Sequence, residues 1–154
     1  MFQICQYQKR HEAGIRVLIE EIANEFAEPI AASNASTKKK VLDKYWVAEK
    51  EAFVIGTIGI IRLKDNKAIL KSMFVKKEYR GKQHGVSKLL LQTAIDWSKE
   101  VQINHLFLGT MTQFKAAQRF YEKNGFYKID STQLPIDFIH NPVDDIFYQL
   151  DIAI

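Results

Sequence analysis

The residues best suited to chemistry lie together in one run, Met73-Phe74-Val75-Lys76-Lys77-Glu78-Tyr79-Arg80-Gly81-Lys82-Gln83-His84-Gly85-Val86. Gly81 and Gly85 let the backbone turn sharply and let a ligand come close to it. The helical pattern that follows would present free N–H groups and a partial positive charge at its first turn. Arg80, Lys82 and Lys88 add full charges. Such a loop can cradle a pyrophosphate, mostly with main chain. It matches neither G-x-G-x-x-G nor G-x-x-x-x-G-K-[ST], so it is not a dinucleotide or nucleoside-triphosphate fingerprint.

Other chemistries have little to build on. No G-x-S-x-G elbow is present, and Cys5, the only cysteine, shows no sign of activation. His11, His105 and His140 have no His, Cys or carboxylate at metal-ligand spacing, so no metal is expected. His84 lies inside the glycine loop, where its ring or backbone N–H could donate to a phosphate.

The elements that must position this loop follow from periodicity. Phe2 to Tyr7 alternates like a strand. Ile15, Leu18, Ile19, Ile22, Ala23 and Phe26 mark a helix with one buried stripe, closed by Pro29. Ala35 to Tyr45 reads as a second short helix capped by Ser36 or Thr37. Trp46–Ala48, Phe53–Ile61 and Ala68–Val75 are rich in β-branched and aromatic residues. With turns at Glu49–Ala52 and Lys64–Lys67 they predict an antiparallel meander. Val86, Leu89, Leu90, Thr93, Ala94 and Trp97 give an amphipathic helix, and Ile103–Leu108 a central strand. A helix over Thr112–Asn124 ends at Gly125, which can turn left-handed so that Phe126 packs back on Tyr121. Phe126–Ile129 and Asp145–Leu150 complete the strands. The order predicts an α/β domain with one mixed, mostly antiparallel sheet flanked by helices, spanning residues 1–154 as a single domain.

Composition narrows the partners. With 47% hydrophobic and 26% charged residues in 154, the chain has the balance of a globular protein. There is no run of ~18 apolar residues and no signal-peptide pattern at Met1–Cys5, so no membrane span is expected. One cysteine suits a reducing cytoplasm. The net charge of +4 is modest and, apart from Lys38–Lys40, not massed in one block. No aromatic–basic interleaving marks a nucleic-acid binder, and no nucleic acid is expected as a partner. Apolar edge strands invite pairing, which admits a homodimer.

The glycine run resembles motif A of the GNAT acetyltransferase superfamily, [Q/R]-x-x-G-x-[G/A] after a strand. Arg80 fits its first position and Gly85 its last, while Gln83 departs from the usual first glycine. Downstream, Ala117-Gln118-Arg119-Phe120-Tyr121-Glu122-Lys123-Asn124-Gly125-Phe126 is similar to the family's A-x-x-F-Y-x-K-x-G-F. The resemblance implies an N-acetyltransferase that moves an acetyl group from acetyl-CoA to a primary amine. It implies that Met73, Phe74 and Val75 pair with pantetheine like an added strand. Arg80, Gly81, Lys82, Gln83, His84, Gly85 and Val86 would take the pyrophosphate. It also makes Tyr121 the general acid for the departing thiolate, since a phenol of pKa about 10 is near an alkyl thiolate in basicity. Phe114 stands where the family often has an Asn that touches pantetheine, so Thr110 or Thr112 would have to take over that role if it is kept at all.

The general base is not inherited, because Ile69 stands near the family's glutamate position. Glu49, Glu51, Asp137, Asp144 or a water chain could serve. The acceptor, a small-molecule or peptide amine, is expected to meet Phe26–Asn34 and Asp130–Asp145. There Phe138, Ile139 and His140 stand among Asp137, Asp144 and Asp145, a grouping suited to a cation. The alternative function is a non-catalytic acyl-CoA-binding sensor of the same fold.

Overall fold

A computed structural model describes residues 1–28 and 42–153. In chain order the elements are β1 (Gln3–Gln6), α1 (Glu12–Ala23), β2 (Lys44–Lys50), β3 (Phe53–Arg62), β4 (Lys67–Val75), α2 (Val86–Glu100), β5 (His105–Thr110), α3 (Lys115–Lys123), β6 (Tyr127–Ile129) and β7 (Ile146–Asp151). The strands form one seven-stranded sheet in the order β1-β2-β3-β4-β5-β7-β6. Every neighbouring pair is antiparallel except β4–β5, which is parallel.

The expected meander is present, with tighter turns than the sequence suggests. Glu49 and Lys50 remain in the ladder, paired with Val54 and Phe53. The chain reverses over Glu51 and Ala52 (φ 51° and 72°), and the next hairpin over Asp65 and Asn66 (φ 59° and 61°). Left-handed pairs of this kind match the right-handed twist of the strands they join. Most of the helix expected over Ala35–Tyr45 lies outside the described residues. Its last two, Lys44 and Tyr45, are in β2, where they pair with Ile60 and Gly59.

Alternation sorts the side chains into two layers. Ile58, Ile60, Leu70, Leu106 and Leu108 join Val86, Leu90, Leu91 and Ala94 of α2 and Tyr121 of α3 in the main core. On the other face Ile61, Ile69 and Phe107 pack with Phe138. Leu18 and Ile22 of α1 pack with Met111, Phe74 and Val54. Leu90 is fully buried, so Leu90→Ala should cost about 2–5 kcal/mol. Among the described residues no helix is long and apolar enough to cross a membrane.

Candidate active site

Strands β4 and β5 start together and then part. They pair only through Lys67–His105, Ala68–Leu106 and Ile69–Phe107. Beyond these, β4 bonds only to β3 and β5 only to β7. The parting has a local cause. Between Thr57 and Gly59 the β3–β4 register slips, placing an extra residue in β4, and Ser72 sits at φ 53°. The Thr57 hydroxyl donates to the Ser72 carbonyl at 2.7 Å and fixes this bulge. Past it, the edge of β4 that faces β5 offers backbone groups to an extended ligand.

The gap is a cavity of about 110 Å³, lined in part by Lys71, Met73, Phe74, Thr110, Phe114, Tyr121 and Asp144. Met73 and Phe74 are thus among its lining residues. Val75 is buried in the core and can offer only backbone. Thr110 lines the gap, whereas Thr112 gives its N–H and hydroxyl to the Asp145 carboxylate, both at 2.9 Å. Phe114 makes an apolar wall, with Phe26 edge-on at 4.7 Å.

From the end of β4 the chain enters a short 3-10 turn, Lys77–Tyr79, and then the glycine loop. Gly81 and Gly85 are left-handed, at φ 110° and 72°. A Cβ at Gly85 would meet no atom within 4 Å, so bare backbone borders open space there. Leu89 N–H to the Gly85 carbonyl, 3.0 Å, is the first bond of α2, which leaves the Val86, Ser87 and Lys88 amides for an anion. These features suit a pyrophosphate. The loop's side chains are otherwise engaged. The Gln83 side chain folds against Gly81. His84 rests edge-on against Tyr79 at 5.7 Å, and Lys88 donates to Asn124 at 3.2 Å. Lys82 is exposed, and the Val86 side chain is fully buried.

Arg80 is held most firmly. Its Nε donates to the Val75 carbonyl at 2.8 Å, and its two terminal nitrogens grip Glu25 at 2.7 and 2.8 Å. The side chain fastens the loop to the residues just beyond α1.

Tyr121 is 6% exposed, packed against Phe126 at 5.4 Å and Tyr148 at 5.9 Å. Gly125, at φ 95°, turns the chain so that Phe126 N–H bonds the Tyr121 carbonyl at 3.1 Å. Burial, and then the charge of Asp144, push the Tyr121 phenol well above its ordinary range. Phenol and thiolate are thus less well matched than reference values suggest. Asp144 lies against Gly109, so close that a Cβ there would fall 2.7 Å from its carboxylate. Burial pushes the Asp144 carboxyl up to about 6, against the opposing pull of Lys71.

The other base candidates fall away from the gap. Asp137 accepts the Lys64 N–H at 2.9 Å, and Phe138 is buried in the core. Glu49 receives Arg10 through both oxygens (3.0 and 3.1 Å), His11 at 3.2 Å, Gln3 at 3.3 Å and the Cys5 thiol at 3.6 Å. Hydrogen bonds from Arg10 lead the effects that hold its carboxyl down at about 2, too weak a base to take an amine proton.

Cys5, His11 and Glu49 thus form a cluster that could hold a metal, which linear spacing did not reveal because Glu49 arrives across the β1–β2 pair. Its hydrogen bonds oppose that use. His11 Nδ1 accepts the Gln8 N–H at 2.9 Å, which leaves the proton on Nε2, pointed at Glu49. Burial, and then the charge of Glu49, raise the Cys5 thiol, disfavouring the thiolate a metal needs.

Residues 15–126 match the family model described as the acetyltransferase (GNAT) family. The chain is 30% identical over 110 residues to the N-acetylaspartate synthetase of Danio rerio, covering 69% of this chain and 38% of that protein. It thus spans well under half the length of that curated relative. It is 32% identical to a GNAT-family acetyltransferase from Staphylococcus aureus Mu50, whose crystal structure superposes at a TM-score of 0.90 over 99% of this chain and 100% of that one. PaiA N-acetyltransferase from Thermoplasma acidophilum, in complex with coenzyme A, shares the fold at 19% identity, with a TM-score of 0.73 over 98% and 99% of the two chains. With the family model matched over most of its length, this chain belongs to the GNAT acetyltransferase family.

Proposed function

We propose that residues 1–154 act as one acetyl-CoA-dependent N-acetyltransferase domain that transfers the acetyl group directly to an amine. The observation that carries this reading is the pair Tyr121 and Asp144, two shifted groups in one gap between β4 and β5. The bound thioester supplies an activated acetyl carbon and a sulfur leaving group. The Val86–Lys88 amides and the Gly81–Gly85 backbone hold the pyrophosphate, and the free edge of β4 at Met73–Val75 pairs with the pantetheine amides.

Asp144 takes the proton from the incoming ammonium. Once protonated it no longer opposes ionisation of Tyr121, whose phenol then becomes the stronger acid. The neutral amine attacks the acetyl carbon. As the C–N bond forms and the C–S bond breaks, Tyr121 gives its proton to the departing sulfur. The second proton shed by the amine nitrogen restores the Tyr121 phenol. One proton transfer thereby prepares the other.

A non-catalytic sensor would need the loop but not this pair. The discriminating experiment uses Tyr121→Phe. Turnover should fall at least tenfold, while calorimetric titration gives an acetyl-CoA Kd within twofold of wild type. Turnover near wild type would remove Tyr121 from the mechanism.

A further inference from the structure

Helix α3 carries Tyr121 into the gap on a short stem. It has nine residues, of which Tyr121 alone is buried, with Ala117 and Phe120 packed partly against the main core. A helix this short draws little stability from its own hydrogen bonds, and one buried side chain does not stop it rolling about its axis. Gln118 ties its first turn to the Met111 and Thr112 carbonyls at 3.0 Å. The bond from Lys88 to Asn124, just past the other end, lies at the surface. A deeper tie comes from the sheet. Tyr148 on β7 pairs with Leu108 of β5 on one side and Lys128 of β6 on the other, and it is fully buried. Its hydroxyl donates to Glu122 Oε2 at 2.7 Å.

The hydroxyl is not there to fill space, since a phenylalanine would pack as well without the cost of burying a polar group. Its bond is short and ends on a carboxylate, the stronger kind. Its partner is also the residue next to Tyr121. Neighbours on a helix stand about 100° apart around the axis. A tie at Glu122 therefore fixes the roll that ring packing of Tyr121 against Phe126 and Tyr148 leaves open. We propose that Tyr148 is a positioning residue for the reaction, its hydroxyl fixing through Glu122 the roll of α3 that aims the Tyr121 phenol at the sulfur. This rests on the general-acid role given to Tyr121 above. A roll of about 10° would move the phenol oxygen by roughly 1 Å. A misplacement of that size can cost on the order of 100-fold in rate. Tyr148 carries no proton of the reaction itself. Burial, and then its bond to Glu122, push its phenol well above the ordinary range, so it stays a donor wherever the enzyme works.

The test measures thiol release from acetyl-CoA with hydroxylamine and a panel of primary alkylamines, beside calorimetric titration of acetyl-CoA. Tyr148→Phe should lower kcat at least tenfold, while the acetyl-CoA Kd stays within twofold of wild type. Glu122→Ala, which changes only an exposed side chain, should do the same. Glu122→Gln keeps an oxygen acceptor and should recover most of that loss. In a Tyr121→Phe background, Tyr148→Phe should add less than a twofold further loss, because the group it aims is already gone. A smaller fall with either folded variant, or an equal fall with and without the Tyr121 hydroxyl, would overturn the positioning role while leaving the acetyltransferase reading intact. Turnover of Tyr121→Phe near wild type would overturn the general-acid role, and this assignment with it. Thiol release with no amine of the panel, while acetyl-CoA binds, would overturn both the assignment and the acetyltransferase reading.

Discussion

Glu49 on β2 and Asp144 in the loop before β7 are carboxylates of one sheet, yet their surroundings drive them in opposite directions. Glu49 is wrapped by Arg10, His11, Gln3 and Cys5, and its carboxyl is held at about 2. Asp144 lies against a glycine in a partly buried gap, and its carboxyl rises to about 6. Sequence alone ranks them alike, as charges near a site. Their hydrogen bonds separate them, because a carboxylate whose lone pairs are filled is a structural tie and one left short of donors is available for chemistry.

The strongest way to break the contrast is Asp144→Asn. Loss of a general base should lower kcat/KM on the order of 100-fold or more, with acetyl-CoA affinity unchanged. The wild-type kcat/KM should rise with pH through about 6 as Asp144 ionises, and that limb should vanish in the variant. A wild-type profile flat from pH 5 to 7 would exclude this base. The same substitution should raise stability. A carboxyl whose folded value is raised opposes folding above about 6 and ceases to as pH falls toward the ordinary aspartate range. The gain at pH 8 is on the order of 1–3 kcal/mol, and thermal melts at pH 8 and pH 4.5 would show it shrink.

Gly85→Trp comes next. It should weaken acetyl-CoA binding at least tenfold in calorimetry, because the indole would fill the open space over the loop. Unchanged affinity in a folded variant would move the pyrophosphate elsewhere. Glu49→Gln should affect only stability, costing about 1–3 kcal/mol by loosening the Arg10 and His11 bonds. Its folded value is depressed, so the contribution of Glu49 is present above the ordinary glutamate range and is lost as pH falls from there toward 2. The destabilisation should therefore fade in acid, as melts at pH 7 and pH 3 would report. A fall in turnover with Glu49→Gln would end the division of labour between the two carboxylates.

Much of the frame was legible because it depends on periodicity. The stripe Ile15–Leu18–Ile22, the helix from Val86 and the left-handed Gly125 stand where the pattern put them. Boundaries that depend on single hydrogen bonds did not show. Ile103 is spent closing α2, its N–H on the Ser98 carbonyl at 2.8 Å, so β5 starts at His105. Gln118 bonds the Met111 and Thr112 carbonyls at 3.0 Å, and α3 begins only at Lys115. Within the site, the loop followed from its glycines and Tyr121 from its motif. Asp144 could be named among several candidates but not chosen, since its burial and its meeting with Lys71 are set by chain segments far apart in sequence. The basic character of Arg80 suggested a phosphate partner, and nothing in linear order disclosed Glu25 in that place.

The Ser72 bulge has a consequence for affinity. In a regular sheet β4 and β5 would zip shut past Ile69, and a ligand would have to compete with that ladder for every backbone group. The left-handed residue, bonded through Thr57, removes the zipped arrangement from the competition. The open form then needs no rare fluctuation, and binding is not diluted by a closed majority. Ser72 thus works as a doorstop, strained for the life of the protein so that the slot between the strands is ready whenever a ligand arrives.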